Sequence, residues 1–245
     1  MWLILELGNT WSVLNQQKDE DNTERIRADF HIHSSFSPDS RFKIKDLIES
    51  CTKKNLNLIA ITDHHTIIGA QEIQAEAPFP VIIGQEILSS DGEIIGLFLN
   101  RTVKKNMSAK ETVKAIKDQG GFVQIPHPFD RFRNNHINKK ALVEILGEVD
   151  IIEVFNARTI LTKDIDQSIQ FYLDNKEKFN LHKVGVTDSH TSYEIGKSYT
   201  ELPMYDGQDH FLDSLNHGTV IGKKMSPFIH AVTRYNTWVK KLNWA

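Results

Sequence analysis

Residues 56–62 read LNLIAIT, an almost unbroken apolar run, and Asp63, His64 and His65 follow it without a spacer. A strand that is apolar at nearly every position has no face to offer water, so it must be covered on both sides. It belongs inside a parallel sheet flanked by helices. The rest of the chain supplies both. Apolar spacing at Ile44, Leu47, Ile48 and Cys51 predicts a helix over 43–54. Ser108, with Glu111 three residues on, has the pattern of a capping box, and Gly120-Gly121 ends the helix it opens. Further helices are expected over 67–75, 138–146, 164–179, 208–216 and 227–242. Strands are expected over 27–32, 80–85, 93–99, 121–126, 151–156, 182–187 and 218–221. This alternation predicts an α/β fold whose parallel sheet is closed into a barrel or left open. In either form the reactive groups lie at the carboxyl ends of the strands.

No repeat, low-complexity run or break in composition divides the 245 residues, so a single domain is expected over 1–245. Within it, 1–27 reads as a short strand and a polar linker, and 28–245 as the barrel. A chain of this length can bury a sizeable core without disulfides. Its one cysteine, Cys51, excludes an internal disulfide and fits a reducing compartment. A net charge of −3 gives no footprint for tight non-specific nucleic-acid binding. The apolar opening MWLILELGNT is too short to span a bilayer and lacks the basic start and cleavage site of a signal. A cytoplasmic protein with no membrane partner is expected.

Five strand ends carry an imidazole or a carboxylate: His31 and His33, then Asp63 and His64, then Glu86, then His127 between two prolines, then Asp188 and His190. Side chains of an extended segment alternate, so His31 and His33 point to one side and can share an ion. Asp188 and His190 repeat that spacing, and the two oxygens of Glu86 could bridge two ions. Any one of these signals is weak, since a lone His-x-His or Pro-His-Pro occurs often without a ligand role. Five of them in order at strand ends point to one cluster, and clustered acids without a cation would be costly. Mixed imidazole and carboxylate donors suit Zn, Mn or Fe. Asp39, in SPDS, fits a turn or cap as readily as a ligand. His136, His182, His210, His217 and His230 match no strand end and read as surface or structural.

The ordered set DFHIHSSFSPDS, ITDHHTIIG, IIGQEI, IPHP and VTDSH resembles the successive motifs of the PHP (polymerase and histidinol phosphatase) family over about residues 28–200. The resemblance implies a distorted, seven-stranded (β/α)7 TIM-like barrel, the PHP fold, with two or three divalent ions at its mouth. It implies phosphate-ester hydrolysis by attack of a metal-bound hydroxide. By position, His31 and His33 resemble ligands of a first metal, Glu86 a bridging carboxylate with Asp188 near it, and His127 a ligand of a second metal. His64 and His190 resemble ligands of a third, with Asp39 as a companion. Asp63 resembles an acid that orients or supplements this shell, and His64 or Asp63 a proton donor to the leaving group. Many members have a further histidine where this chain has Glu153 and Asn156, and some have one at Glu93.

In the loop PFDRFR, Arg131 and Arg133 are expected above the metals, because guanidinium pairs well with phosphate oxygens. The expected activity is therefore that of a phosphomonoesterase on a small phosphorylated molecule or nucleotide. Two alternatives stay open. One is a phosphodiesterase or exonuclease on short oligonucleotides, suggested by Phe129 and Phe132 interleaved with the arginines. The other is a metal-binding regulatory domain with weak turnover.

Overall fold

The computed structural model describes residues 3–7, 10–14 and 25–243. The polar stretch expected as a linker falls largely on 15–24, outside the described residues. Among the described residues, eleven strands form one sheet in the order β1-β2-β11-β10-β3-β4-β5-β6-β7-β8-β9. Their bounds are β1 Leu3–Leu7, β2 Thr10–Leu14, β3 Arg25–Ile32, β4 Leu58–Ile61, β5 Val81–Ser89, β6 Gly92–Leu97, β7 Phe122–Ile125, β8 Ile151–Asn156, β9 His182–Val186, β10 Ser198–Pro203 and β11 Thr219–Lys223. The helices are α1 Ile44–Lys53, α2 Ile68–Glu76, α3 Ala109–Lys117, α4 Lys139–Ile145, α5 Thr162–Phe179, α6 Phe211–Asn216 and α7 Ile229–Asn243.

Seven of these strands, β3 to β9, curl into an almost closed barrel. Strand β4 is buried at every position, which is why LNLIAIT shows no alternation. The Ser108 capping box forms as the sequence predicts, with Ser108 accepting from Glu111 N and Glu111 accepting from Ser108 N. The sheet is not wholly parallel. Strand β6 runs antiparallel to both β5 and β7, and β10 runs antiparallel to β3. Only two residues separate β5 from β6, too few for the crossover a parallel pair needs. The consequence is chemical: the amino end of β6, with Glu93, lies at the same rim as the carboxyl ends of its neighbours.

The ring closes where β9 returns to β3. The amide and hydroxyl of Thr187 both donate to the buried carboxylate of Asp29, and His33 N donates to Ser189 O at 2.9 Å. Lower down, β10 fills the gap, and Gly185 N donates to Thr200 Oγ1 at 2.9 Å. Strand β10 is absent from the sequence reading. Its SYTELP alternates buried and half-buried positions, as a strand covered on one face does, but it follows a polar turn and lacks a β-branched run. Replacing Thr187 by Val removes the hydroxyl that Asp29 needs. We expect a loss of about 1–3 kcal/mol in urea unfolding at an unchanged slope; an unchanged midpoint would show that the seam is held elsewhere.

Candidate metal centre

The rim of the barrel gathers side chains that are far apart in sequence. His31 and His33 come from the end of β3, Glu86 from β5, Glu93 from β6, His127 from beyond β7, and Asp188 and His190 from beyond β9. His31 Nε2 and His33 Nε2 stand 3.0 Å apart. Glu86 Oε2 lies 3.3 Å from each of them, and Glu86 Oε1 lies 3.2 Å from His127 Nε2. Asp188 Oδ1 is 3.7 Å from His31 Nε2 and 3.6 Å from His33 Nε2. On the outer side, Asp39 Oδ2 is 2.9 Å from His190 Nε2 and 3.5 Å from His64 Nε2, and His64 Nδ1 is 3.5 Å from Glu86 Oε2. Glu93 Oε2 reaches within 3.8 Å of His127 Nε2. Five overlapping triads of these donors each sit closely enough to hold one cation, so the array is continuous rather than a set of separate sites.

Backbone and neighbouring side chains aim the array. Glu153, on β8, accepts from His31 Nδ1 at 2.7 Å, from His127 N at 2.8 Å and from Asn156 Nδ2 at 3.0 Å. A proton on His31 Nδ1 leaves Nε2 with its lone pair turned into the cluster, the arrangement that orients a ligating imidazole. Asp188 and His127 both have positive φ, 57° and 29°. Such backbone costs on the order of 1–3 kcal/mol per residue and persists only where the surroundings enforce it. Here it turns both side chains inward at strand ends.

The donors fit divalent cations. Imidazole nitrogens and carboxylate oxygens are mixed, with no thiol. Asp188 Oδ1 is buried without a hydrogen-bond partner although three imidazole rings approach it, which is expensive for an anionic oxygen unless a cation satisfies it. Electrostatics agree. Burial opposes charge on His31, but Asp188, Glu153 and Glu86 outweigh it and raise its pKa well above the usual imidazole range. Burial likewise opposes charge on Asp188, yet Arg133 and His31 hold it well below the carboxylate range. Burial, with Glu86 adding to it, pushes Glu93 upward. A space this buried, filled with opposite charges at van der Waals distance, is built around positive charge.

Two expectations are corrected. Asp63 does not face the donors: Ser34 N and Ser34 Oγ donate to its two oxygens, each at 2.6 Å. It ties the β3–α1 loop to β4. Gly69 is required beside it, since a Cβ there would lie 2.1 Å from Asp63 Oδ2. Arg131 does not stand over the cluster; it pairs with Asp164 of α5 at 2.7–2.9 Å and is half-exposed. Arg133, two residues on, does reach the cluster and donates to Asp188 Oδ2. The structure adds Arg158, which the sequence reading passes over. It is buried, donates to Asp188 O, touches His190 Nδ1, and lies 3.4 Å from Glu194. Its one cue is its place two residues beyond a strand end. His230, read as surface or structural, lines the cleft beside the cluster together with Arg133, Arg158 and Arg234.

The profile of the PHP domain matches residues 29–122, which carry His31, His33, Asp39, His64 and Glu86. Two uncharacterized proteins of Methanocaldococcus jannaschii are similar in sequence. One is 38% identical over 54% of this chain and 82% of its own length, and the other 32% identical over 72% and 70%. The chain belongs to the PHP family. Its fold is also that of a two-domain protein from Bacteroides vulgatus that contains a predicted PHP-like metal-dependent phosphoesterase. That likeness has a TM-score of 0.66 at 19% identity, covering 83% of this PHP chain and 66% of that one. The chain thus spans about two thirds of the larger protein.

If Glu153 orients His31, Glu153→Gln should weaken Mn or Zn binding about 10- to 100-fold in calorimetric titration while leaving the fold intact. Affinity equal to that of the unaltered protein would remove Glu153 from the centre.

Proposed function

We propose that this PHP-family protein is a metal-dependent phosphoesterase and, more narrowly, a phosphomonoesterase acting on a small phosphorylated molecule or nucleotide. The observation that carries this reading is Arg133. Its guanidinium donates to Asp188 inside the donor cluster and also lines a cleft of about 400 Å³ that opens beside it. A cation at that place can pair with the oxygens of a phosphoryl group brought to the centre. His31, His33, Glu86, His127 and Asp188 would hold two divalent ions, and Asp39, His64 and His190 would hold a third; Mn, Zn and Fe suit such donors. Bound there, the ions would lower the pKa of a coordinated water and neutralise developing charge on phosphorus.

The chain's own residues do the rest. Arg133 swings from Asp188 to the substrate's phosphoryl oxygens. With two ions bound, His64, its ring on the cleft wall, is placed to give a proton from Nε2 to the departing oxygen; with a third ion it would be a ligand instead. Asp39 holds that nitrogen in position. The size of the cleft and its single exposed aromatic, Phe132, favour a small ester over an oligonucleotide. Phe129 is already packed against Phe171, with ring centroids 5.3 Å apart, and offers no stacking platform.

The test is hydrolysis of an aryl phosphate with added Mn. His31→Ala and Glu86→Ala should each lower kcat/KM at least 100-fold, about 3 kcal/mol of transition-state stabilisation. Arg133→Ala should raise KM and lower kcat, whereas Arg131→Ala should leave both within about twofold. Equal rates in all four variants, or in the presence of chelator, would remove the reading.

A further inference from the structure

The cleft beside the metal centre has a wall that the hydrolysis of a phosphate ester does not by itself require. Four residues of α7 line it: His230, Thr233, Arg234 and Thr237. Their spacing of i, i+3, i+4 and i+7 is one stripe of a helix, so α7 turns a continuous polar face to the cleft. Contacts on that face fix the helix against the rim of the barrel. Thr233 Oγ1 accepts from Arg158, and His230 Nε2 donates to Arg158 O at 3.1 Å. Thr237 Oγ1 donates to Thr233 O at 3.0 Å. Further along the helix, Lys240 Nζ donates to Ser35 O and Ser37 O.

The charges of the lining sort into two groups. Its two acids, Asp39 and Glu93, belong to the donor array. Its other fixed charges are three guanidinium groups, on Arg133, Arg158 and Arg234. Two of these are committed. Arg133 donates to Asp188 and is the group that meets the phosphoryl oxygens. Arg158 is buried and spends its donors on Asp188 O and Thr233. Arg234 is exposed, and among the described residues no hydrogen bond or ion pair engages its side chain. A solvated arginine on a helix is ordinary in itself. This one stands on a face whose other members line a cleft of about 400 Å³. Such a volume takes a small organic molecule rather than a phosphoryl group alone. A free cation on its wall selects what the rest of that molecule carries.

We propose that Arg234 is a specificity residue that binds a second anionic group on the substrate, a carboxylate or a second phosphate. The substrate is then a small phosphate ester with two anionic ends. Its scissile phosphate meets the donor array and Arg133, and its other end meets the guanidinium fork on the α7 wall, which matches the oxygens of either group. This rests on the phosphoesterase reading above and narrows its substrate class.

The experiment is calorimetric titration of the full chain, loaded with Mn, with phosphonates that no phosphoesterase can hydrolyse, so that binding is read without turnover. Simple alkylphosphonates are compared with phosphonocarboxylates and bisphosphonates whose two ends are separated by three to six methylenes. At the best-fitting length the second anion should tighten binding about fivefold. The two series distinguish a carboxylate from a phosphate, and a gain in either supports the subsite. R234A should reduce the gain to within about twofold, and R234K should keep part of it, because it keeps the charge without the fork. K241A removes a charge from the same helix but not from the cleft lining, and should keep the gain in full. No gain at any length, a gain that survives R234A, or one lost equally in K241A overturns the subsite. In each of those cases the alkylphosphonates still bind and the phosphoesterase reading stands, whereas failure of every phosphonate to bind removes both.

Discussion

The structure turns on one electrostatic constraint: the barrel buries more ligand atoms at its mouth than it can neutralise with its own hydrogen bonds. His31 Nε2 and His33 Nε2 meet at 3.0 Å, with Glu86 at 3.3 Å from both and the unpartnered Asp188 Oδ1 beyond. Isolated buried charges of this kind cost several kcal/mol each unless paired. The fold meets the constraint from several directions at once. Glu153 anchors the backs of His31 and His127, Arg133 and Arg158 lean on Asp188 and its carbonyl, and strained backbone at His127 and Asp188 keeps the rings and oxygens turned inward. Such a preorganised set of donors is suited to hard and borderline cations and, through them, to phosphoryl oxygens.

The same constraint explains why the ring is closed as it is. The residues that seal the barrel sit next to those that line the centre. Asp29 takes Thr187 two residues before His31, and Ser189 takes the amide of His33 while lying between Asp188 and His190. Seam and site are therefore one structure, and stability at the seam fixes the separation of the donors from β3 and β9.

Much of this was legible in the sequence. Buried parallel strands have unbroken apolar runs, and their ends stand out when a His or an acid follows directly, so β3, β4, β7 and β9 and their donors could be placed by inspection. Where extended backbone continued, period-two alternation worked, as for His31 and His33. It also contains the reason Asp63 was misplaced. Neighbours along a strand end point to opposite sides, so an acid adjacent to His64 turns away to Ser34. For Arg131 and Arg133 no period applied, because the loop after His127 is a turn; which arginine reached inward was decided by Asp164 on a distant helix.

Other features had no local signal. Glu93 enters the site only because β6 runs backward, a property of loop length and tertiary pairing. Arg158 owes its role to Glu194, Thr233 and His190, which lie between 32 and 75 residues away. The closing helix over 227–242 was readable as a helix, but which of its faces looks inward is set by the rim it lies against, where Lys240 reaches Ser35 O and Ser37 O. Anomalous diffraction from crystals grown without chelator and soaked in Mn measures the central claim directly. The account predicts two or three strong peaks ringed by His31, His33, Glu86, His127, Asp188 and His64. A mouth that stays free of peaks at millimolar Mn, with Asp188 Oδ1 satisfied by water or Arg133 alone, would contradict it.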